Sequence, residues 1–330
     1  MVKLMSDKAL LDWLSAAENP AVRYLSARDL GHPRRSARAL AAMRRDTLNW
    51  APLRKVLARQ QDDGSFPHGQ KTSTAQPTFW ALLLMERCGL DLRDEPVTRA
   101  MDYLEKNHAR EGALSYLGGG SGILPCYIGV VTRALIKMGG LELPLVQTSL
   151  RWLVDHQRFD HKSTRAGGAE PWPYKSVQNY GCWQTVSCYH GVAGALRAMA
   201  AVPTNRRSPE LSNRMAAAIA YLRIHRVYKT SRGTRPLFRH MTQFFILGDY
   251  RSDLVDVLEA LAEADPRLIR EDWVREAVDA VEKLTDGGRV PLVKNYGKKL
   301  IDPLPVERVG EPSRFLTFQW LVVKRQFGLC

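Results

Sequence analysis

The chain has 330 residues, 45% of them hydrophobic and 25% charged, a balance that belongs to a folded globular protein and excludes a disordered one. No uncharged apolar run reaches the roughly 18 residues of a membrane span, and Asp7 and Asp12 inside the first apolar stretch speak against a signal peptide. Five cysteines, unevenly spaced, exclude a secreted disulfide framework and point to a cytoplasmic protein with reduced thiols, while 48 Lys+Arg against 34 Asp+Glu give a net charge of +14 that favours anionic partners.

In chain order, apolar residues recurring with the helical period predict helices over 8–17, 77–89, 96–108, 127–140, 145–157, 191–203, 214–227, 252–264, 273–284 and 313–328. Residues 1–48, containing "NPAVRYLSARDL", read as a further helical hairpin continuous with the unit formed by 49–330. No stretch alternates with period two, so no sheet is expected. The helices come in pairs. One member is apolar nearly all round and ends at glycine, as in "IGVVTRALIKMGG", and its follower is amphipathic, as in "QTSLRWLVDHQRFD". The first kind must be surrounded and the second must face water.

A phrase recurs after the amphipathic helices: "VLARQQDDGSF", "YLEKNHAREGALSY", "WLVDHQRFDHK", "YLRIHRVYKTS" and "VEKLTDGGRVPL". Its spacing of about 50 to 70 residues is that of helical-hairpin repeats rather than of separate domains. The glutamine or histidine in it is placed to reach the last helix carbonyls, and the Asp-Gly pair turns the chain back. Alternating buried and amphipathic helices build either an open solenoid or a closed two-layer ring. The long loops 158–183 and 292–315 favour the ring, with loops gathered over one end.

"RQQDDGSF" resembles the Q-x-x-x-G-x-(W/F) repeat of squalene cyclases and protein prenyltransferase β subunits, and the pattern from about residue 50 onward is similar to stand-alone bacterial proteins with such repeats. The resemblance implies an all-α fold, an (α/α) toroid of about six helical hairpins around a central cavity. It also implies an enzyme acting on a hydrophobic, isoprenoid-type substrate in that cavity.

In such a toroid the inner helices run parallel and their N-termini meet at one mouth. Cys126, Cys188, His190 and Asp253 all open predicted inner helices. A helix N-terminus favours thiolate, the form that a metal or an electrophile requires. Zinc held by Cys126, Cys182, Cys188 and His190 is one reading. The Cys188–Tyr189 pair resembles that of the prenyltransferases, but Val186 stands where their aspartate would be and the last helix start lacks their histidine. "CYHGVAG" resembles the Cys-His-Gly motif of the lantibiotic cyclases with one residue inserted, which implies a zinc toroid catalysing thiol addition to a peptide. Buried cysteines packing as small apolar side chains are the alternative.

Acid-initiated cyclisation is the second chemistry. The D-x-D-D-T-A acid motif of squalene–hopene cyclases is absent, and aligning "LPCYIGVVTRAL" with it puts Cys126, too weak an acid, at the acid's position. Asp253 is the best-placed carboxylate: a general acid, a metal ligand, or a helix N-terminal residue. The candidate catalytic residues are therefore Asp253, Cys126 and His190. Trp80, Trp183, Tyr189, Tyr250 and Trp320 are candidate walls for a prenyl chain or a cation. His240 and Arg314 are candidate holders of a diphosphate or carboxylate.

The basic clusters at 32–45 and 223–235 come without a zinc finger, an RNA-binding aromatic signature or a basic tail. Nucleic acid is therefore not the expected partner, whereas peripheral contact with a membrane is compatible with them. A non-catalytic helical-repeat protein that binds through its basic surface is the reading from another class.

Overall fold

Prolines in the first turn and side-chain caps fix where the helices begin. The computed structural model describes residues 7–67, 75–110, 112–117, 122–161, 187–294 and 307–329. Its helices are α1 (Asp7–Ser15), α2 (Pro20–Asp29), α3 (Ala37–Leu48), α4 (Ala51–Leu57), α5 (Gln76–Arg87), α6 (Glu95–His108) and α7 (Pro125–Lys137), followed by α8 (Pro144–His156), α9 (Tyr189–Ala201), α10 (Pro209–Ile224), α11 (Leu254–Ala264), α12 (Asp272–Glu282) and α13 (Arg314–Gln326). Proline stands in the first turn of α2, α5, α7, α8 and α10, where a missing N–H breaks no helical bond. Asn19, Ser36, Ser208 and Ser313 accept from backbone N–H groups one turn into α2, α3, α10 and α13. Among the described residues the fold is all-α but for one two-residue pairing, β1 (Ala109–Arg110) with β2 (Ala113–Leu114), antiparallel. No helix among the described residues is long and apolar enough to cross a membrane.

The division into two kinds of helix holds. From Pro125 to Ile136 every residue of α7 is buried, and α9 and α11 are buried nearly all round. Their partners bury one stripe each, as α6 does with Val97, Ala100, Met101, Leu104 and His108. The inner helices are neighbours in chain order, α5 to α7 to α9 to α11 to α13, and α13 packs in turn against α2. The outer helices α6, α8, α10 and α12 lie on the inner helices that precede them. The N-terminal segment does not stand as a hairpin of its own beside the rest. Arg314 of α13 donates to the carbonyl of Trp13 and stacks over its ring at 4.3 Å, which ties α1 to the last inner helix.

The recurring phrase has a physical role that differs from the expected one. Gln60 does not reach the last helix carbonyls. Its Nε2 donates to the carbonyls of Gly64 (3.0 Å) and of Pro96 in the next outer helix (2.9 Å). Gly64 has φ +89°, and a Cβ there would lie 2.0 Å from the carbonyl oxygen of Arg99, so only glycine fits. Phe66 is buried and its N–H donates to Thr78 Oγ1 of α5. His108 and His225 repeat the device, each bonding through Nδ1 to a carbonyl beyond its turn, those of Ser115 and Lys229. At Gln60, His108 and His225 the phrase thus staples a helix to the turn that follows it.

The closest helix contact joins α7 and α9. A Cβ on Gly129 would lie 2.2 Å from the carbonyl carbon of Gly194, and one on Gly194 would lie 3.0 Å from the Cys126 oxygen. Two backbones meet there, and neither can move aside as a side chain would. Gly129→Ala is expected to destabilise the fold by about 3 kcal/mol, the upper range for overpacking. Urea unfolding checks this, and a variant with unchanged midpoint contradicts the contact.

Candidate active site around Asp249

Four chain segments converge at the N-terminal end of the inner helices. Gln76 and Trp80 lie one turn apart on one face of α5, Tyr127 opens α7, Cys188 caps α9, and Asp249 and Tyr250 precede α11. The Asp249 carboxylate is buried at their meeting point. Trp80 Nε1 donates to its Oδ1 at 2.8 Å, Tyr127 O–H to its Oδ2 at 3.0 Å, and Gln76 Nε2 to both oxygens at 3.2 Å. Gln76 is held in turn by Tyr116, whose O–H donates to Oε1 at 3.3 Å. Arg251 approaches Asp249 Oδ2 at 3.6 Å. The backbone of Asp249 is left-handed, φ +61°, a conformation that aspartate tolerates better than most residues and that recurs at functional sites.

Aromatic rings enclose this carboxylate. Tyr127 stacks on Tyr116 at 4.8 Å and meets Tyr250 at 5.4 Å and Phe79 at 6.0 Å. Burial pushes the Asp249 carboxyl above its usual range, against the opposing effect of its donors Trp80, Gln76 and Tyr127. Beside it, Cys126 and Cys188 lie close enough for their charges to interact. The expected thiolate is corrected here. Burial raises the Cys126 thiol well above its ordinary value, and Cys188 and Asp249 add to the effect, outweighing the helix N-terminus.

The other expected residues divide sharply. His190 and His240 come together, stacked at 5.0 Å with Phe238 over His190 at 4.7 Å, and His190 meets Tyr250 edge-on at 5.4 Å. Burial lowers His190 to about 3 and His240 to about 4, with the cation Arg251 contributing to both. Both are therefore neutral near pH 7. Among the described residues His190 Nδ1 and His240 Nε2 have no hydrogen-bond partner. Asp253 does not join the group. It is the N-cap of α11 and forms a capping box with Asp256, and its Oδ2 also accepts from the N–H of Phe245. A carboxylate whose two oxygens each accept from a backbone N–H, those of Asp256 and Phe245, is a structural cap.

Tyr189, Trp320 and Arg314 are corrected in the same way. Tyr189 donates its O–H to the carbonyl of Val227 while its ring meets those of His190 and Phe238 edge-on, each at 6.1 Å. Trp320 is buried and donates to Glu282 Oε1 at 3.0 Å. Arg314 is engaged with Trp13. Cys182 and Trp183 lie outside the described residues. Among the described residues no three of His, Cys, Asp and Glu converge on a position that would hold a metal. Cys126, Cys188 and His190 therefore do not make a zinc set by themselves.

Below the mouth, paired charges fill the space between the inner helices. Arg133 of α7 bonds Glu259 at 2.6 Å and Glu86 at 3.4 Å. Arg197 of α9 and Arg87 of α5 share Asp256 Oδ1, at 3.0 and 3.1 Å. Gln319 of α13 donates to Asp256 at 3.1 Å and to Glu259 at 2.9 Å. On the far side of this layer lies a cavity of about 630 Å³, bounded by Phe315, Phe318 and Val322 of α13, Leu25 of α2 and the Arg133–Glu259 pair.

Comparison of the chain with protein-family models, curated proteins and solved structures returned no match.

Two predictions follow from these charges. Burial works to raise Glu259, but Arg133, Lys137, Arg87 and Arg197 overcome it and hold the carboxyl down to about 2. A carboxyl depressed in the fold stabilises it above the unfolded value of 4.5, and that contribution is lost as pH falls from there toward 2. Arg133→Met, which strands Glu259, is expected to lose about 3–5 kcal/mol at pH 7. Glu259→Gln is expected to flatten the acid limb of a thermal-melt series, and an unaltered limb contradicts the role assigned to Glu259.

Asp249 has the opposite sign. Its carboxyl is raised in the fold, so its contribution is complete below the unfolded value of 3.8 and is lost as pH rises through the folded value. The melting temperature of wild type relative to Asp249→Asn is therefore expected to fall from about pH 4 to pH 7. A constant or rising difference contradicts the raised carboxyl.

Proposed function

We propose that the helical hairpins close into an (α/α) toroid, and that the protein is a cytoplasmic enzyme of the terpene-cyclase and prenyltransferase type. It acts at the N-terminal mouth on an isoprenoid-type substrate, with Asp249 rather than Asp253 as the acid. Three contacts support closure. Inner helices follow one another as neighbours, α13 packs against α2, and α1 is tied to α13 through Arg314 and Trp13. The end of α5 lies against α2 as well, since a Cβ on Gly89 would lie 2.9 Å from the Tyr24 ring. In this arrangement α1 serves as the outer partner of α13, and six hairpins complete the circle.

The single observation that carries the chemical reading is the setting of Asp249, a buried carboxyl raised by desolvation, surrounded by tyrosine and tryptophan rings and anchored by three side chains. Burial makes this carboxyl hold its proton more firmly than a free aspartate does, and in its protonated form it is the donor that the reading assigns to a carbon–carbon double bond. The new C–H bond takes the proton from Asp249, the remaining alkene carbon becomes a cation, and the electron pair of the broken O–H bond stays on the carboxylate. Trp80, Gln76 and Tyr127 then stabilise that carboxylate through the bonds they already direct at it. The faces of Tyr116, Tyr127 and Tyr250 offer the cation its stabilisation. Loss of a proton from the rearranged cation restores the acid and balances the cycle.

The experiment is incubation of the purified protein with squalene, farnesol and their diphosphate or epoxide derivatives, with product analysis by mass spectrometry. Cyclised or isomerised product is expected, reduced at least about a hundredfold by Asp249→Asn and little changed by Asp253→Asn at a temperature where that variant is folded. Absence of turnover and of binding for every isoprenoid tried contradicts the reading, as does full activity of Asp249→Asn. A zinc enzyme adding thiols to a peptide is the second reading, on the meeting of Cys126 and Cys188. Stoichiometric zinc in purified protein, lost in Cys188→Ala, would favour it over the acid mechanism.

A further inference from the structure

Two consecutive helices, α3 and α4, turn to solvent a face made almost wholly of alanine and basic residues. Ala37, Arg38, Ala41, Arg45 and Asp46 are the exposed residues of α3, and Ala51, Arg54 and Lys55 are those of α4. Arg34 and Arg35 precede them, also exposed. Asp46 is the only carboxylate between Pro33 and Gln60. Among the described residues Arg34, Arg35, Arg38, Arg45, Arg54 and Lys55 form no ion pair, whereas the half-buried Arg44 is bound by Asp91 and Asp94. Cations in a protein surface usually have acidic neighbours along the helix. These have one.

We propose that this face docks the protein on an anionic lipid bilayer. Charge complementarity identifies the partner as polyanionic, and the shape of the face selects among polyanions. Alanine between the cations leaves no side chain taller than the guanidinium groups, so that a flat layer of headgroups can approach them all. No aromatic residue is exposed on α3 or α4 to stack on a base. The location agrees. Leu30, which borders the 630 Å³ cavity with Arg28 and Arg325, is four residues from Arg34, at most about 14 Å of extended chain. A bilayer held by α3 and α4 would therefore lie beside the cavity's cationic rim. This docking is independent of the isoprenoid reading above.

The test is co-sedimentation of the full-length protein with vesicles of phosphatidylcholine alone and of phosphatidylcholine with phosphatidylglycerol. Binding is expected only with the anionic lipid, and it should decline as salt shortens the screening length. The triple variant Arg34→Glu, Arg38→Glu, Arg45→Glu is expected to lower the partition coefficient by about a hundredfold or more. All three residues are exposed, and an unchanged melting temperature confirms the fold. Arg54→Glu with Lys55→Glu should repeat the loss, and Arg232→Glu with Arg235→Glu, a charge change elsewhere, should not. Failure to bind anionic vesicles overturns the proposal. So does an equal effect of the Arg232 and Arg235 control, which would mean attraction by net charge alone. Binding to duplex nucleic acid but not to vesicles, abolished by the triple variant, would replace the bilayer with nucleic acid and also overturn it.

Discussion

Arg133 and Arg197 stand in the middle of two helices that are otherwise buried on every side, and a guanidinium cannot shed its charge to escape the cost of burial. Each must be met by a carboxylate from another element. Glu259 and Asp256, one turn apart on α11, meet both, and Arg87 and Gln319 fill the remaining positions. Five inner helices are thereby fixed at one height relative to each other. Apolar contact alone would not do this, because a sliding helix exchanges one leucine contact for another at little cost, whereas a slide of one residue here would strand a charge. The layer defines registry more than it adds stability, since paired buried ions roughly offset their own desolvation.

That registry also explains the two ends of the molecule. With the middle occupied by ions, the space between the inner helices is not a single dry channel. One end is the aromatic mouth around Asp249, and the other is the cavity bordered by Phe315 and Phe318 with a rim of Arg28, Lys137 and Arg325. A small pocket of about 20 Å³ beside Asp249, lined by Leu83, Val130 and Ile246 rather than by the aromatic rings, shares Glu86, Arg87 and Arg133 with the larger cavity as a common wall. The basic rim has a simple electrostatic origin. The inner helices end there, each presenting unpaired carbonyls and partial negative charge, and α2, α5, α7 and α13 carry Arg28, Arg87, Lys137 and Arg325 in their last turns to oppose it, whereas α9 and α11 carry no cation there. The carbonyl of Asp29, met by Arg325, is one such end.

The sequence showed the helices well because their signal is local. Periodicity within a dozen residues separated "IGVVTRALIKMGG" from "QTSLRWLVDHQ", and α7 and α8 have the burial that this difference predicts. Two kinds of information were not legible. Caps and catalytic acids look alike in sequence: Asp253 is an aspartate at an inner-helix start, and only the backbone N–H groups around it reveal a cap. Asp249 was missed for the opposite reason. It lies in a loop, and its partners Gln76 and Trp80 are 173 and 169 residues away. The one available hint was a Gly-Asp turn placed just before a capped helix, together with a glutamine and a tryptophan spaced to share a helix face. The thiols failed on magnitude. A helix N-terminus shifts a cysteine by its partial charge, but full burial beside a second thiol is the larger effect.

The occupied middle also limits what chemistry the fold can perform. A long polyene cannot lie along the interior while the Arg133–Glu259 layer stands across it, so on the proposed reading a substrate would enter and leave by the Asp249 end. Its reacting bond would meet the aromatic rings first and the ion layer last. For a cationic intermediate this order matters. Asp256, Glu259 and Glu86 are neutralised by Arg87, Arg133 and Arg197, which weakens each of them as a base toward a cation. The field at the mouth is then set by Asp249 itself and by Arg251, whose guanidinium lies over the Tyr250 ring at 4.2 Å. Burial disfavours charge on Tyr250 and Arg251 opposes that effect, as it also favours the carboxylate form of Asp249. The ion layer that fixes the helices in place thus also forms the floor beneath Asp249.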